Sequence, residues 1–316
     1  MSWQVVLENI LQGLTAGILI GSIYALMCAG LGLIFGVMRV INFAQGEFLM
    51  LGMYGALYAY TGLALGAALG PYVGPIVAAL LAAVVVYFVG ILLHRWLLVR
   101  VTGIRVAGSE GEGHYPQLIL TLGISLILAN GGLIFFGSTP SNIRTPLSAS
   151  AWQIGTDDVA VFLNKARSVA FLVSIVVAVA LFLFIGRTRI GKMLRAAADN
   201  PEAAVYMGID VERAHRIAFG LGCAITALAG GLVATYYPFQ PYVGLEFVII
   251  MYAGVVLGGM GSIGGAFWGG LTIGLVQQLS TLVLPTQLQN TAIFVVFLLI
   301  MMFRPEGLFG RNVERA

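Results

Sequence analysis

The chain has 316 residues, of which 59% are hydrophobic and only 9% charged, with a net charge of +3 and a mean hydropathy of +0.98. A soluble domain carries about 25% charged and about 45–50% apolar residues, so the polar groups needed to cover a water-facing surface are missing here. That excludes a soluble enzyme or a nucleic-acid binder and leaves a polytopic membrane protein.

A membrane helix needs about 20 apolar residues to cross roughly 30 Å of hydrocarbon. In chain order, apolar stretches fall at 11–37, 46–62, 74–93, 117–137, 168–186, 213–236, 245–261, 264–283 and 291–303. Runs such as VAALLAAVVVYFVGILL (77–93) do not alternate in polarity, as the strands of a membrane barrel would. Helices also satisfy their own backbone in lipid. The predicted fold is therefore an all-α polytopic transmembrane helix bundle of eight to nine spans, nine favoured, forming one transmembrane domain over 1–316. A count of eight or ten stays open at two weak points. These are 39–47, where Arg39, Asn42, Gln45 and Glu47 interrupt two apolar runs, and the glycine-rich join GGMGSIGGAFWGG (258–270). The first is read either as a cytoplasmic turn or as a break buried in the protein.

With nine spans, 13 of the 16 basic residues fall on one side, leaving only Arg144, Lys165 and Arg167 on the other. The positive-inside rule then puts the C-terminus in the cytoplasm and the N-terminus outside. The opening MSWQVVLENI has no basic region before its apolar run, so no cleaved signal is expected. Glycines four apart recur at Gly17/Gly21, Gly32/Gly36, Gly254/Gly258, Gly261/Gly265 and Gly270/Gly274. That spacing lets helix backbones approach closely and predicts a tight bundle. Cys28 and Cys223 lie within apolar runs and read as small core residues.

The stretch 187–216, RTRIGKMLRAAADNPEAAVYMGIDVERAHR, is the most informative loop. Residues 191–198 favour a first short helix, with Lys192 and Arg195 on its solvated side. Asn200 can cap a second, with Pro201 at its first position and Glu202 near its positive end. Gly208 can end it in a left-handed conformation. Ala203 and Ala204 add a small-residue face, and the whole would be a rigid cytoplasmic knob. The alternative is an amphipathic helix resting on lipid headgroups. Glu202-Ala203-Ala204, three residues and Gly208 also resemble the EAA-x-x-x-G loop of ABC importer permeases, which docks on the ATP-hydrolysing subunit.

Further motifs extend that resemblance over essentially the whole chain: MRVINFAQGEFLMLGMYGA (38–56), RIGKMLRAAADNPEAAVYMGID (189–210), VVLGGMGSIGGAFWGG (255–270) and RPEGLFG (304–310). Together they resemble the inner-membrane permeases of branched-chain amino acid ABC importers, of the shorter, LivH type. Gln45 departs from the resemblance, because many such permeases have histidine there. The resemblance implies a complex of this chain, a second permease of the LivM type, two ATP-binding cassette subunits and an outer amino-acid-binding protein. It also implies placement in a bacterial inner membrane, with lipid around it and no nucleic acid involved. No G-x-x-x-x-G-K-[ST] occurs in the chain, so ATP and magnesium belong to the partner subunits and no cofactor is expected here.

Ionisable groups at membrane depth cost about 2.5–3.5 kcal/mol each on insertion scales and so mark pathways or buried pairs. Arg39 and Glu47 could simply pair and fix a turn. Alternatively, Asn42, Gln45 and Glu47 line the translocation path or a gate. Glu246, in PFQPYVGLEFVIIMYAG (238–254), is a second such position. The pairs Glu47-Phe48 and Glu246-Phe247 each open an apolar run containing a tyrosine, Tyr54 and Tyr252. Five spans apart and facing opposite sides, they would fit an inverted repeat. The outer loop 138–167 reads as a solvated loop or a cap that meets the binding protein. His94, His114 and His215 are scattered over loops without metal-ligand spacing, and no nucleophile–base constellation is present. Within the same family, urea, short amides or aromatic acids are alternative solutes. An ion-driven secondary transporter would need more intramembrane acidic or histidine groups than Glu47 and Glu246.

Overall fold

The computed structural model describes residues 3–102, 115–156, 159–304 and 306–309. The motif residues Pro305 and Gly310, and also His114, lie outside that set. Twelve α-helices are found among the described residues. They are α1 Trp3–Met38, α2 Gln45–Gly62, α3 Leu65–Leu93, α4 Val99–Thr102, α5 Tyr115–Phe136, α6 Lys165–Arg187, α7 Arg189–Asp199, α8 Pro201–Tyr206, α9 Val211–Val233, α10 Val243–Gly258, α11 Ile263–Ser280 and α12 Gln289–Phe303. A π-helical turn, His94–Leu98, joins α3 to α4.

Among the described residues, nine straight spans are not found. Six helices among the described residues are long and apolar enough to cross a membrane, and a seventh crossing arises if the pair α10–α11 counts as one span. The runs read as spans at 46–62, 245–261 and 264–283 are the ones that change status. α2 opens with Gln45, Gly46 and Glu47, all buried. α10 and α11 bend against each other by 120° at the break 259–262. The cause is the glycine-rich join itself, where Gly259 and Gly261 take φ of +102° and +96°, a region open to glycine and costly for other residues.

One departure from an all-α fold lies in the loop 138–167. β1 (Ala151–Thr156) and β2 (Val159–Asn164) form an antiparallel hairpin. Gln12 of α1 clamps it, donating to the Phe162 carbonyl at 2.9 Å and accepting from the Phe162 N–H at 2.8 Å. Covering an otherwise open strand edge with a helix is one way proteins protect it.

The spaced glycines act as the sequence suggests. Gly13, Gly17, Gly21, Gly32 and Gly36 of α1 meet, in that order, Leu279, Leu275, Leu271, Ala266 and Gly261, so α1 runs antiparallel to α11 along nearly its whole length. α9 pairs with α3 in the same way: Gly231 meets Ala79, and Gly220 meets Tyr87 and Ile91. α2 folds back on α3 (Gly55 on Ala82) as α10 folds back on α11 (Gly258 on Gly265). The two halves of the chain therefore repeat one packing scheme, and they cross where Gly30 of α1 lies against Gly222 of α9. Cys28 and Cys223 are free thiols buried in this core.

The hairpin and the α7–α8 segment sit at opposite ends of the bundle. α1 begins beside the hairpin, while its last turns run toward Gly261, the break before α11. The C-terminal Leu308 and Phe309 donate to the carbonyls of Leu257 and Gly258 at 2.8 and 3.2 Å, near that second end. Gly274 rests against the backbone of Gly21, where an added Cβ would collide with it. Gly274→Val is expected to lower stability by about 1–3 kcal/mol or more. Gly131→Val, where a Cβ meets nothing within 4 Å, should change it little. Thermal unfolding of the detergent-purified chain distinguishes the two.

Candidate functional site

The segment 39–44 is a break inside the protein. α1 ends at Arg39, whose φ of +54° is left-handed, while its N–H still bonds Phe35 O at 2.8 Å. Val40, Asn42 and Ala44 are buried, as a break within the protein requires, while Arg39 and Phe43 are exposed. A chain that leaves a helix in an apolar interior has backbone groups without partners and must find them in side chains. Here Asn42 Oδ1 accepts from the Ala44 N–H at 3.2 Å, and the Thr121 hydroxyl of α5 accepts from the Phe43 N–H at 3.3 Å. Asn42 Nδ2 donates to Gln45 Oε1 at 2.9 Å. Gln45 Nε2 in turn donates to Gly222 O at 3.1 Å and to Thr226 Oγ1 at 2.6 Å. The first residue of α2 is thereby tied to the middle of α9.

Glu47 follows two residues later and is 1% exposed. Its Oε1 accepts from the Ser125 hydroxyl of α5 at 3.3 Å, and its Oε2 is buried with no hydrogen-bond partner. It does not pair with Arg39, which is exposed; the left-handed turn sends Arg39 outward while α2 carries Glu47 inward. Against Glu47 lies the start of α10. A Cβ on Gly244 would come within 2.8 Å of the Glu47 carboxyl, and one on Gly46 would collide with Gly244 O. α2 and α10 thus begin at one point. Each folds back on a helix that is antiparallel to α9 or to α1, so from that point they lead away in opposite directions.

That contact corrects the expectation that the two Glu-Phe pairs face opposite sides. The helix starts meet inside the molecule because both α2 and α10 follow a non-helical segment that re-enters the bundle. Glu246 nevertheless stands apart from Glu47. It is exposed on α10 and accepts from the Tyr237 hydroxyl at 3.1 and 3.3 Å. The structure therefore groups Asn42, Gln45 and Glu47 in one buried cluster and leaves Glu246 on an outer face.

The two short helices expected in 187–216 are present as α7 and α8. Thr188 caps α7, accepting from Gly191 N–H at 3.0 Å, and Asn200 caps α8, accepting from Ala203 N–H at 2.9 Å. Pro201 is in the first turn of α8, as is Glu202. Gly208, at φ +77°, closes α8: its N–H bonds Val205 O and the Ile209 N–H bonds Ala204 O, both at 2.9 Å, the paired bonds of a left-handed helix stop. Arg195 donates to Gly186 O at 3.1 Å, bracing α7 on the end of α6. Leu194, Ala197 and Ala204 are buried while Ala203 is exposed, so the two alanines do not form one outward face. The outward tip is Tyr206 and Met207, 89% and 82% exposed.

Several of these groups escape a reading by sequence. Thr121, Ser125 and Thr226 are lone hydroxyls in apolar runs, a weak signal that only their partners make specific. Tyr206 and Met207 carry little signal either, because the same loop holds other apolar residues such as Ile190, Leu194 and Val205. His94 and His215 are not on loops but in the π-helical turn and in α9. Among the described residues no group of three His, Cys, Asp or Glu could hold a metal.

A bundle of membrane-length apolar helices, with polar groups gathered at internal helix breaks and a capped helical knob at one end, defines a polytopic membrane permease. The chain belongs to the family described as branched-chain amino acid transport system / permease component, whose profile matches residues 13–303. It is 30% identical over 312 residues to the high-affinity branched-chain amino acid transport system permease protein LivH of Escherichia coli K12, covering 96% of this chain and 97% of that one. BraD of Pseudomonas aeruginosa, of the same description, is 31% identical over 308 residues, with the same coverage. A probable LivH of Methanocaldococcus jannaschii is 29% identical over 274 residues, 87% of this chain and 81% of the other. No solved structure matches the chain.

Removing the Gln45 amide leaves the Asn42 side chain and the Thr226 hydroxyl buried without it. Gln45→Ala is expected to destabilise the folded chain by about 1–3 kcal/mol, read as a lower unfolding temperature of the purified protein in detergent.

Proposed function

We propose that this chain, together with a second permease of the LivM type, forms the translocation path for branched-chain or other apolar amino acids. ATP hydrolysis in two cassette subunits drives the cycle, and a binding protein delivers the solute on the opposite side. The setting is a bacterial inner membrane, crossed several times. The observation that carries the reading is the buried meeting of the α2 and α10 starts at Gly46 and Gly244. Broken helices whose ends meet at depth in the bundle are where transporters with repeated halves handle their solute. Asn42, Gln45 and Glu47 at that junction, and Glu246 on the outer face of α10, are the pathway or gate residues of this proposal.

The α7–α8 knob serves as the coupling element. Asn200, Pro201, Glu202 and Gly208 fix the shape of α8, Arg195 braces α7, and Ala204 seats the knob on the bundle. Ala203 lies on the outward side with Tyr206 and Met207, which would enter an apolar recess of the cassette subunit. The proximity of α7 to the ends of α1 and α6 and to the start of α9 gives motion at the knob a short route to the helix breaks.

Two measurements on the complex reconstituted in liposomes test these roles. Glu47→Ala is expected to lower ATP-driven leucine uptake at least tenfold while the subunits still co-purify; equal loss of uptake and assembly would make Glu47 a structural residue. Tyr206→Ala with Met207→Ala is expected to lower co-purification of the cassette subunits at least fivefold, with membrane insertion of this chain unchanged. Normal retention of those subunits would remove the knob from the interface.

A further inference from the structure

The end of the bundle that carries the hairpin also holds Arg167, in the first turn of α6. A cation there opposes the partial positive charge of a helix start, so it does not serve to stabilise α6. Its guanidinium lies over the Tyr236 ring, 5.4 Å from the ring centre. Its Nε is buried with no hydrogen-bond partner. Stacking holds the group in place but accepts none of its N–H bonds. A buried donor without an acceptor costs about 1–3 kcal/mol, and more when it is charged, which makes Arg167 a donor waiting for an acceptor from outside the chain.

A cavity of about 420 Å³ opens beside it, where α1, α6 and the end of α11 converge. Asn9 and Gln12 line it from α1, Arg167 from α6, and Gln278 and Thr281 from α11 and the residue just past it. Gln12 is already engaged with both backbone groups of Phe162, and the Thr281 hydroxyl donates to the Gln278 carbonyl at 2.7 Å. The amides of Asn9 and Gln278 are the donors that remain beside the guanidinium. Among the described residues no Asp or Glu lines the cavity. One cation and two amides, carried by three helices and faced by no acidic group, make a wall for an anion. Donors arriving from three directions suit the tetrahedral oxygens of phosphate better than the two coplanar oxygens of a carboxylate. The guanidinium fork binds two phosphate oxygens at once, and the field of the α6 start favours the same charge.

We propose that this cavity is an oxyanion site that takes a phosphate group, carried by an anionic lipid headgroup or free in solution. Arg167 holds two of its oxygens, and Asn9 and Gln278 bind the others from the facing helices. α6 has 23 residues, a length of about 35 Å against roughly 30 Å of hydrocarbon. Its first turn therefore lies at headgroup level, within reach of both sources. The site is at the opposite end of the bundle from the α7–α8 knob and stands whatever solute the bundle carries.

Thermal unfolding of the full chain, purified in detergent and stripped of lipid, tests this. The chain is titrated with sodium phosphate against sodium chloride of equal ionic strength, and with phosphatidylglycerol against phosphatidylcholine in mixed micelles. A rise in unfolding temperature with phosphate identifies the free ion as a source, and a rise with phosphatidylglycerol alone identifies the headgroup; either supports the site. Arg167→Gln is expected to weaken that binding at least tenfold, and Arg167→Lys, which keeps the charge without the fork, at least threefold. Thr281→Trp fills the cavity and leaves Arg167 in place. It should abolish the response, and it decides the question if Arg167→Gln fails to fold. Parent-like affinity in Arg167→Gln or in Thr281→Trp overturns the site, as does a parent chain that answers neither probe beyond its control. Acetate bound as tightly as phosphate would make the recognised group a carboxylate, and overturns the assignment as well.

Discussion

A helix that breaks within an apolar bundle exposes backbone groups that water cannot reach, and this chain is organised around two such breaks. The first, at 39–44, is satisfied by Asn42, by Thr121 and by the Gln45 amide, which reaches across to Gly222 and Thr226. The second, before α10, is closed by contact: Ser141 and Phe239 exchange backbone hydrogen bonds at 2.9 Å, and the Ile143 N–H bonds Ala234 O at 2.8 Å. Only after both breaks are satisfied can α2 and α10 start at one point. Glycine at 46 and 244 makes that approach possible, since any side chain would separate the two backbones.

The charge pattern follows from this arrangement. Helix starts carry partial positive charge, and Glu47 lies where two of them converge, with Ser125 as its neutral donor. Its unpartnered Oε2 is held in place by packing, a condition in which a polar group is costly unless it has a task. Glu246 occupies the related place in the second half but on an outer face. The same residue pair, Glu-Phe, is thus used in two ways. In both halves the phenylalanine is buried, Phe48 edge-to-face against Phe219 with ring centres 6.0 Å apart and Phe247 against Tyr24 at 6.2 Å. The glutamate's surroundings differ because α5 covers the first while α12 only flanks the second.

The α7–α8 knob shows how a short segment becomes rigid. Six residues of α8 would not hold a helix alone. Capping at Asn200, the paired bonds around Gly208 and burial of Ala204 replace the missing length. What stays exposed is then an apolar tip, Tyr206 and Met207.

Composition and pattern determined the membrane class, the tight glycine packing and the capped double helix of 187–216, because these depend on local sequence and on solvent alone; the family was legible through motifs that resemble known permeases. Runs of similar hydropathy could not reveal that 46–62 and 245–261 begin inside the bundle. Length and apolarity describe what a helix is made of, and its depth is set by what it packs against. The grouping of Asn42, Gln45 and Glu47 with Thr226 and Ser125, the separation of Glu246 from them, and the failure of Arg39 to meet Glu47 were decided only by tertiary structure. The partners lie from 78 to 181 residues apart in sequence, and no periodicity carries information over that distance.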